Sequence, residues 1–251
     1  MQFYEEMAGD YHLIFADWKQ GVIWQGEVLD GLIRSRAAAP ALSVLDCSCG
    51  IGTQAIGLAA RGYRVHATDI SAASVERAKC EAASFGVRVT FGVSDFRELT
   101  SRVEGEFDVV LSCDNALPHL LNDDDLLAAA LNMKEKLRTG GLLVASIRDY
   151  DHLASERPRS TLPRVFDDPT GRRIVFQVWD WAAEGDSYRL HQFIITEGGD
   201  GWRTAHYTTR YKALLRDDLS RILTQAGFSE IRWHMPEESG YYQPIVTARK
   251  R

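Results

Sequence analysis

Between residues 42 and 147, short apolar runs alternate with longer segments whose apolar positions recur every three or four residues. The first pattern is that of strands, the second that of amphipathic helices. Strands are predicted at 42–46, 63–68, 87–92, 107–113 and 142–147, and helices at 53–61, 71–84 and 123–138. Ser71 is the expected N-cap of the second helix. Residues 122–125 start the third, with acids near its dipole, and Thr139-Gly140-Gly141 is its expected glycine C-cap. The run 107–113, Phe-Asp-Val-Val-Leu-Ser-Cys, reads as a strand buried on both faces of a parallel sheet. Strands and helices at this rhythm predict an α/β sheet with right-handed crossovers.

After Asp149 the rhythm changes. Residues 151–165 are polar and carry two prolines. Residues 173–181, 188–196 and 202–214 alternate like antiparallel strands, with Glu-Gly-Gly-Asp-Gly at 197–201 as a hairpin turn. A helix at 216–226, closed by Gly227, and strands at 228–234 and 244–249 complete the chain. At the other end, residues 1–35 are rich in aromatic side chains and show partial helical spacing. They predict one or two helices, followed by a break at 37–41. The expected organisation is one domain over 1–251, with a helical cap at 1–35 and a small antiparallel β layer inserted over 151–210 at one edge of the main sheet.

Composition narrows the classes. At 251 residues, 45% apolar and 25% charged, the chain suits a globular domain with a large core. A formal net charge of −6 argues against a primary role on nucleic acid. No apolar run reaches membrane-spanning length, and Glu5, Glu6 and Asp10 interrupt any signal-peptide pattern. The cytoplasm is the expected location. Cys47, Cys49, Cys80 and Cys113 lack metal spacing and read as reduced, buried thiols, so no metal site is expected.

The densest chemistry lies at 43–54, Ser-Val-Leu-Asp-Cys-Ser-Cys-Gly-Ile-Gly-Thr-Gln. A strand ends at Asp46, a Gly50-x-Gly52 turn follows, and the turn opens a helix. Asp69 ends the next strand, where a carboxylate can accept both hydroxyls of a ribose. Together these make a nucleotide-cradling βαβ unit, the glycines letting backbone approach a ligand. Gly50-x-Gly52-x-x-Ala55 also fits the loose dinucleotide pattern. Asp46 points elsewhere: an anion in the turn repels a pyrophosphate but suits the ammonium of an amino-acid tail. Ser94-Asp95-Phe96, after the third strand, offers a carboxylate for an adenine amino group and an aromatic to cover the ring. The closing helix, strand, loop and strand suit a hairpin at the end of the sheet.

With these motifs (Val-Leu-Asp-x-x-Cys-Gly-x-Gly-Thr, Ala-Thr-Asp-Ile-Ser, Ser-Asp-Phe, Phe-Asp-Val-Val-Leu, Leu-Arg-Thr-Gly-Gly-Leu-Leu-Val), residues 42–147 resemble a class I S-adenosylmethionine-dependent methyltransferase. The resemblance implies a Rossmann-like, seven-stranded, mostly parallel sheet with helices on both faces and an antiparallel last strand. It implies S-adenosyl-L-methionine as cofactor, with S-adenosyl-L-homocysteine as product. Asp46, Gly50 and Gly52 would hold the methionine end, Asp69 the ribose, Asp95 the adenine amino group, with Ile70 and Phe96 on the ring. Cys49, Thr53 and Cys113 fall beside the cofactor in the same motifs.

The acceptor is read from two stretches at the C-terminal rim of the sheet, where ligands bind. Residues 113–120, Cys-Asp-Asn-Ala-Leu-Pro-His-Leu, follow the fourth strand, and 147–152, Ile-Arg-Asp-Tyr-Asp-His, the fifth. A guanidinium there suits a carboxylate, by paired hydrogen bonds; the bland alternative is Arg148 paired with Asp149 or Asp151 on the surface. With the N-terminal Phe-Tyr-x-x-x-Ala-x-x-Tyr-His-x-Ile-Phe and Thr209-Arg210-Tyr211, these stretches are similar to glycine N-methyltransferase and its bacterial glycine/sarcosine and dimethylglycine relatives. That implies Arg148 on the acceptor carboxylate, Asn115 near the amine, His119 bracing the loop, and Tyr4 and Tyr211 around the transferring methyl. Cys113-Asp114 departs from the more usual Leu-Gly pair, which puts the acceptor pocket in doubt. The expected reaction is methylation of glycine, sarcosine or dimethylglycine, a small-molecule acceptor with no nucleic-acid or membrane partner; homo-oligomerisation stays open. Another amine or a hydroxyl acceptor, a non-catalytic cofactor-binding module and, more distantly, a nicotinamide dehydrogenase remain as alternatives.

Overall fold

The computed structural model describes residues 2–37, 40, 42–168, 171–199 and 201–251. In chain order its helices are α1 (Gln2–Met7), α2 (Trp18–Arg36), α3 (Thr53–Ala59), α4 (Ala72–Ser84), α5 (Leu99–Arg102), α6 (Asp123–Glu135), α7 (Tyr150–Glu156), α8 (Arg216–Gln225) and α9 (Pro236–Ser239). The strands are β1 (Ser43–Asp46), β2 (Arg64–Asp69), β3 (Val89–Val93), β4 (Phe107–Ser112), β5 (Leu137–Ser146), β6 (Arg164–Asp168), β7 (Gly171–Trp181), β8 (Ser187–Gly198), β9 (Gly201–Lys212), β10 (Phe228–His234) and β11 (Ile245–Lys250).

Seven strands form one sheet in the order β10-β11-β5-β4-β1-β2-β3. β1 pairs in parallel with β2 and β4, β2 with β3, and β4 with β5; β11 runs antiparallel to both β5 and β10. This is the expected seven-stranded, mostly parallel sheet with an antiparallel last strand. Successive residues of a strand face opposite sides, and here both sides are covered. Val44, Val109, Leu111 and Val144 pack with the α2 and α3 residues Leu29, Ile33 and Leu58. Leu45, Val110 and Leu143 pack with Leu126, Met133, Leu219 and Ile222 of α6 and α8. That two-sided burial explains why β4 reads as an unbroken apolar run. Ser71 caps α4 by accepting from the Ser74 N–H, and Asn122 caps α6 by accepting from the Asp125 N–H, as expected.

Two elements differ from the sequence reading. α6 stops at Glu135, and Gly140 and Gly141 lie inside β5 rather than capping the helix. Leu137 pairs with Phe107, and the ladder then jumps to Leu142 with Val109. The glycines serve this bulge: a Cβ on Gly141 would stand 2.8 Å from the Arg138 carbonyl oxygen. The polar stretch after Asp149 holds a helix, α7, capped by the Asp149 side chain on the His152 N–H.

The second sheet is four-stranded, β6-β7-β8-β9, antiparallel throughout. It does not extend the main sheet, with which it shares no ladder among the described residues. β6 was absent from the sequence reading, and the tip of the β8–β9 hairpin includes residue 200, outside the described residues. So does most of the expected break at 37–41. Val175 and Ile194 of this sheet are buried against Phe3 and Met7 of α1.

α2 crosses α3 with almost no space between backbones. A Cβ on Gly57 would stand 2.5 Å from the Val22 carbonyl oxygen, and one on Gly26 would stand 2.7 Å from Gly57 backbone atoms. This contact seats Trp24 and Gln25 of α2 beside the C-terminal rim of the sheet. Gly57→Ala is therefore expected to lower unfolding stability by about 1–3 kcal/mol, the usual range for overpacking, read as a lower denaturation midpoint at unchanged m-value. An unchanged midpoint would show that the helices separate freely.

Candidate active site

β1 ends at Asp46, and the following turn is pinned to its neighbours. The Cys47 N–H donates to the Leu111 carbonyl at 2.9 Å and the Cys49 N–H to that of Thr68 at 3.0 Å. Gly50 and Gly52 hold φ values of +52° and +97°, and a Cβ on Gly52 would stand 2.8 Å from Ile56 Cδ1. Only glycine fits that second position without moving the core.

Asp69, at the end of β2, joins this turn to the next. Its Oδ2 accepts from the Gly50 N–H at 2.8 Å and its Oδ1 from the Ser71 N–H at 2.9 Å. Burial nevertheless pushes its carboxyl above the ordinary range. Asp46 is more isolated. Its Oδ1 accepts from Ser48 N–H at 3.3 Å, while Oδ2 is buried without a partner among the described residues. Burial, reinforced by Asp69 and Asp114, pushes its pKa up to about 8.

Three cavities follow one another along the rim. The first, about 540 Å³, is bordered by Asp69, Ile70, Asp95 and Phe96, with His119 and Tyr4 opposite. The second, about 430 Å³, holds Asp114, Asn115, Arg148 and Tyr211. A small one of about 40 Å³ lies between them, lined by Cys49, Gly50, Thr53, Cys113 and Asp114. Tyr4 borders all three. Asp46 and Gly52 border none; they lie beneath the turn.

The N-terminal segment reaches these cavities through polar side chains. Glu5 accepts from Ser71 Oγ at 2.6 Å and from the Ala73 N–H at 3.2 Å, at the start of α4. The Tyr4 hydroxyl lies 3.0 Å from His119 Nε2 and 3.2 Å from the Tyr211 hydroxyl. Burial pushes both phenols up and His119 down, to about 3. The cluster is neutral at ordinary pH and positions groups rather than exchanging protons.

Arg148 and Arg164 are the cations bordering the second cavity, and Arg148 is the more buried of the two. Its Nη1 donates to the Tyr188 hydroxyl at 2.8 Å and its Nη2 to Gln177 Oε1 at 3.4 Å. The guanidinium carbon sits 5.0 Å from the Trp179 ring and 5.3 Å from that of Tyr211. No carboxylate pairs with it among the described residues. The surface alternative fails because Asp149 and Asp151 pair with Arg216 instead, at 2.6 and 3.3 Å. Asn115 takes a supporting position: its Oδ1 accepts from the Arg148 N–H at 3.0 Å and its Nδ2 donates to the Tyr150 hydroxyl at 3.0 Å.

Some neighbours escaped the sequence reading. Asp95 is gripped by Arg97, whose Nη2 donates at 2.6 Å and whose Nη1 reaches Asp125 at 2.8 Å. Gln177, Trp179 and Tyr188 come from β7 and β8, whose register the sequence did not supply. Trp24, Tyr241 and Tyr242 also reach this region; the adjacent tyrosines entering the last strand were the available signal.

Residues 44–141 match the family model described as a methyltransferase domain. The chain is 29% identical over 137 residues to the glycine/sarcosine N-methyltransferase of Parasynechococcus marenigrum, covering 55% of this chain and 48% of that one. The chain thus spans about half the length of that relative. It is 29% identical over 187 residues to the putative methyltransferase YqeM of Bacillus subtilis, covering 74% and 72%. A solved S-adenosylmethionine-dependent methyltransferase of Clostridium acetobutylicum superposes with a TM-score of 0.75 at 17% identity, over 98% of this chain and 97% of that one. DesVI of Streptomyces venezuelae superposes at 0.76 with 19% identity, over 92% and 94%. The last two comparisons bear on the fold, and the first three on the βαβ turn and its surroundings. Residues 44–141 thus resemble a methyltransferase domain, and the fold of the chain is that of the solved S-adenosylmethionine-dependent methyltransferases it superposes on.

Proposed function

We propose that the protein transfers the methyl group of S-adenosylmethionine to the amine of a small acceptor bearing a carboxylate, such as glycine, sarcosine or dimethylglycine. One observation carries the acceptor class. Arg148 borders the second cavity beside Tyr211, is backed by Trp179 and Tyr188, and has no acidic partner among the described residues. A cation held there has only hydroxyl, amide and ring partners. A carboxylate would complete it with a bidentate, charge-assisted pair.

The residues around the first and small cavities fit the cofactor. Asp69 lies where a ribose could add to its two backbone partners. Ile70 and Phe96 border the first cavity as apolar surfaces for adenine. The buried Asp46 Oδ2 has no partner among the described residues, and an ammonium beside it would stabilise the ionised form that burial disfavours. When bound, S-adenosylmethionine supplies an already activated methyl group. The chain's work is then positioning: Arg148 anchors the acceptor, Asn115 fixes the Arg148 backbone, and the Tyr4–His119–Tyr211 cluster closes the space between the cavities.

Arg148→Ala is expected to reduce kcat/KM for the acceptor on the order of 100-fold, the usual effect of removing a buried charge-assisted pair. Arg148→Lys should recover little of it, because lysine lacks the planar fork. S-adenosylhomocysteine formation with glycine, sarcosine and dimethylglycine measures both. Equal acceptor kinetics in the wild type and Arg148→Ala would overturn the carboxylate reading.

Asp46 yields a second prediction. Its carboxyl keeps its proton up to about pH 8 in the free protein. A cofactor ammonium favours the ionised form, so binding releases a proton below that pH. Affinity for S-adenosylhomocysteine should therefore rise as the pH is raised toward about 8. Asp46→Asn should flatten the rise, and calorimetry in buffers of different ionisation enthalpy should show the proton release vanish. The sign for stability is opposite. The free fold gains most from Asp46 at acid pH and loses that gain as pH rises through about 8, so Asp46→Asn should make the cofactor-free protein relatively more stable above neutrality. A pH-independent affinity in the wild type would remove Asp46 from the cofactor site.

A further inference from the structure

The second cavity carries an anion as well as a cation. Asp114 and Asn115 leave β4 with φ values of +57° and +69°, two successive non-glycine residues in the left-handed region. Such backbone costs on the order of 1–3 kcal/mol per residue and persists where its surroundings enforce it. Here Ser146 does so: its Oγ accepts from the Asp114 N–H at 2.9 Å and its carbonyl from the Asn115 N–H at 3.3 Å. The result places Asp114 on both the small cavity and the 430 Å³ cavity.

The Asp114 carboxylate has hydroxyl partners. Its Oδ1 accepts from the Tyr242 hydroxyl at 2.5 Å and lies 2.6 Å from the Tyr241 hydroxyl, whose single hydrogen is shared with Gln25 Oε1 at 2.7 Å. No cationic side chain pairs with it among the described residues. Aromatic rings gather beside it. Trp24 stacks on Tyr241 with centroids 5.9 Å apart and planes 6° apart, Tyr242 lies 4.9 Å from Tyr241, and Tyr11 borders the same two cavities. Trp24 and Tyr242 remain 41% and 48% exposed, unusual for rings packed so closely to one another. Ring faces beside a carboxylate are the chemistry that recognises an alkylammonium ion.

We propose that Asp114, with Tyr11, Trp24 and Tyr242, forms the amine-binding half of the acceptor pocket and accepts the proton that the acceptor's ammonium must lose. The proposal rests on the amine reading above and adds the group opposite Arg148. An acceptor amino acid is a zwitterion at neutral pH, and its ammonium has no lone pair for the methyl. At Asp114 the N–H bond breaks, an O–H bond forms on the carboxylate, and the electron pair stays on nitrogen. The proton then leaves Asp114 through the cavity mouth to water. Burial raises the proton affinity of Asp114, which suits that acceptance. The ionisable groups near it are Tyr11, Tyr241, Tyr242, Cys113 and Asp46, with Arg148 and Arg164 on the same cavity. The first five are neutral or protonated near neutrality, each pushed up by burial.

The test is calorimetric titration of tetramethylammonium and of glycine betaine into protein saturated with S-adenosylhomocysteine. Both are expected to bind the wild type. Asp114→Asn and Trp24→Leu should each weaken tetramethylammonium at least about tenfold, the scale of one cation–π or charged contact, with S-adenosylhomocysteine affinity unchanged. Trp24 is partly exposed, so its variant tests the cage even if Asp114→Asn misfolds. Arg148→Ala should weaken betaine and spare tetramethylammonium. Absence of tetramethylammonium binding to the wild type, or equal binding by Asp114→Asn and Trp24→Leu, would overturn the proposal. So would a loss of S-adenosylhomocysteine affinity in Asp114→Asn, which would assign Asp114 to the cofactor's own ammonium. Betaine affinity untouched by Arg148→Ala would instead sink the carboxylate reading and leave the ammonium cage standing.

Discussion

A charge can leave water only where hydrogen bonds or an opposite charge replace its hydration. The rim of this sheet gathers four buried ionisable groups within a few residues of the strand ends. Each is compensated to a different degree. Asp69 has two backbone N–H groups, one from each turn it joins. Asp114 has two phenols and the Gln25 and Gln54 amides, and Arg148 a phenol, an amide and two rings. Asp46 has one N–H and an oxygen with none. The degree of compensation orders these groups by how much each still gains from a ligand. Asp69 can act as scaffold and ligand together, whereas Asp46, Asp114 and Arg148 stand to gain most from a bound counter-charge.

The N-terminal segment ties that rim together. α1 has only six residues, too short to be stable alone. It is fixed from outside, by Phe3 and Met7 on the second sheet, by Glu5 on the start of α4, and by Tyr4 on His119 and Tyr211. Because Tyr4 borders all three cavities, the same short helix meets each of them. Its hold on the sheet is polar at Glu5 and apolar at Phe3 and Met7, so salt and pH weaken only part of it.

What could be read in the sequence divides along chain separation. The first turn was legible because its residues are local: Asp46, Gly50, Gly52 and Asp69 belong to one strand–turn–helix–strand unit, and spacing alone implies their proximity. The α/β class followed from the same alternation, and the seven-stranded, mostly parallel sheet from the resemblance those motifs carry. Gly140-Gly141 misled because a glycine pair closing a helical pattern looks the same whether it caps the helix or opens a bulge; the pairing of Leu137 with Phe107 decides it. The acceptor half was barely legible. Arg148 stood out as a cation on a strand end, but its partners Gln177, Trp179 and Tyr188 come from strands whose register is set by contacts across the layers, not by periodicity. Arg97 around Asp95 went unseen for the opposite reason: a lone arginine two residues on from an acid is common, and nothing local marks it as a clamp.

Asp114 shows how these two kinds of legibility meet. The Cys113-Asp114 pair was visible as a departure from the more usual Leu-Gly pair, yet its meaning depended on the backbone. A glycine at that corner would enter the left-handed region at no cost; an aspartate enters it against a steric penalty and brings a carboxylate with it. Ser146 supports the corner with a hydroxyl and a carbonyl, and Tyr241 and Tyr242 arrive from more than a hundred residues later to hold the acid in place. Three separate parts of the chain thus converge on one substituted position. The cofactor end of the rim uses backbone and glycine, which constrain sequence tightly. The acceptor end uses side chains delivered by the closing loop, α2 and the second sheet, and each of these can change without disturbing the seven strands. The choice of acceptor therefore resides in the layer the fold leaves most free to vary.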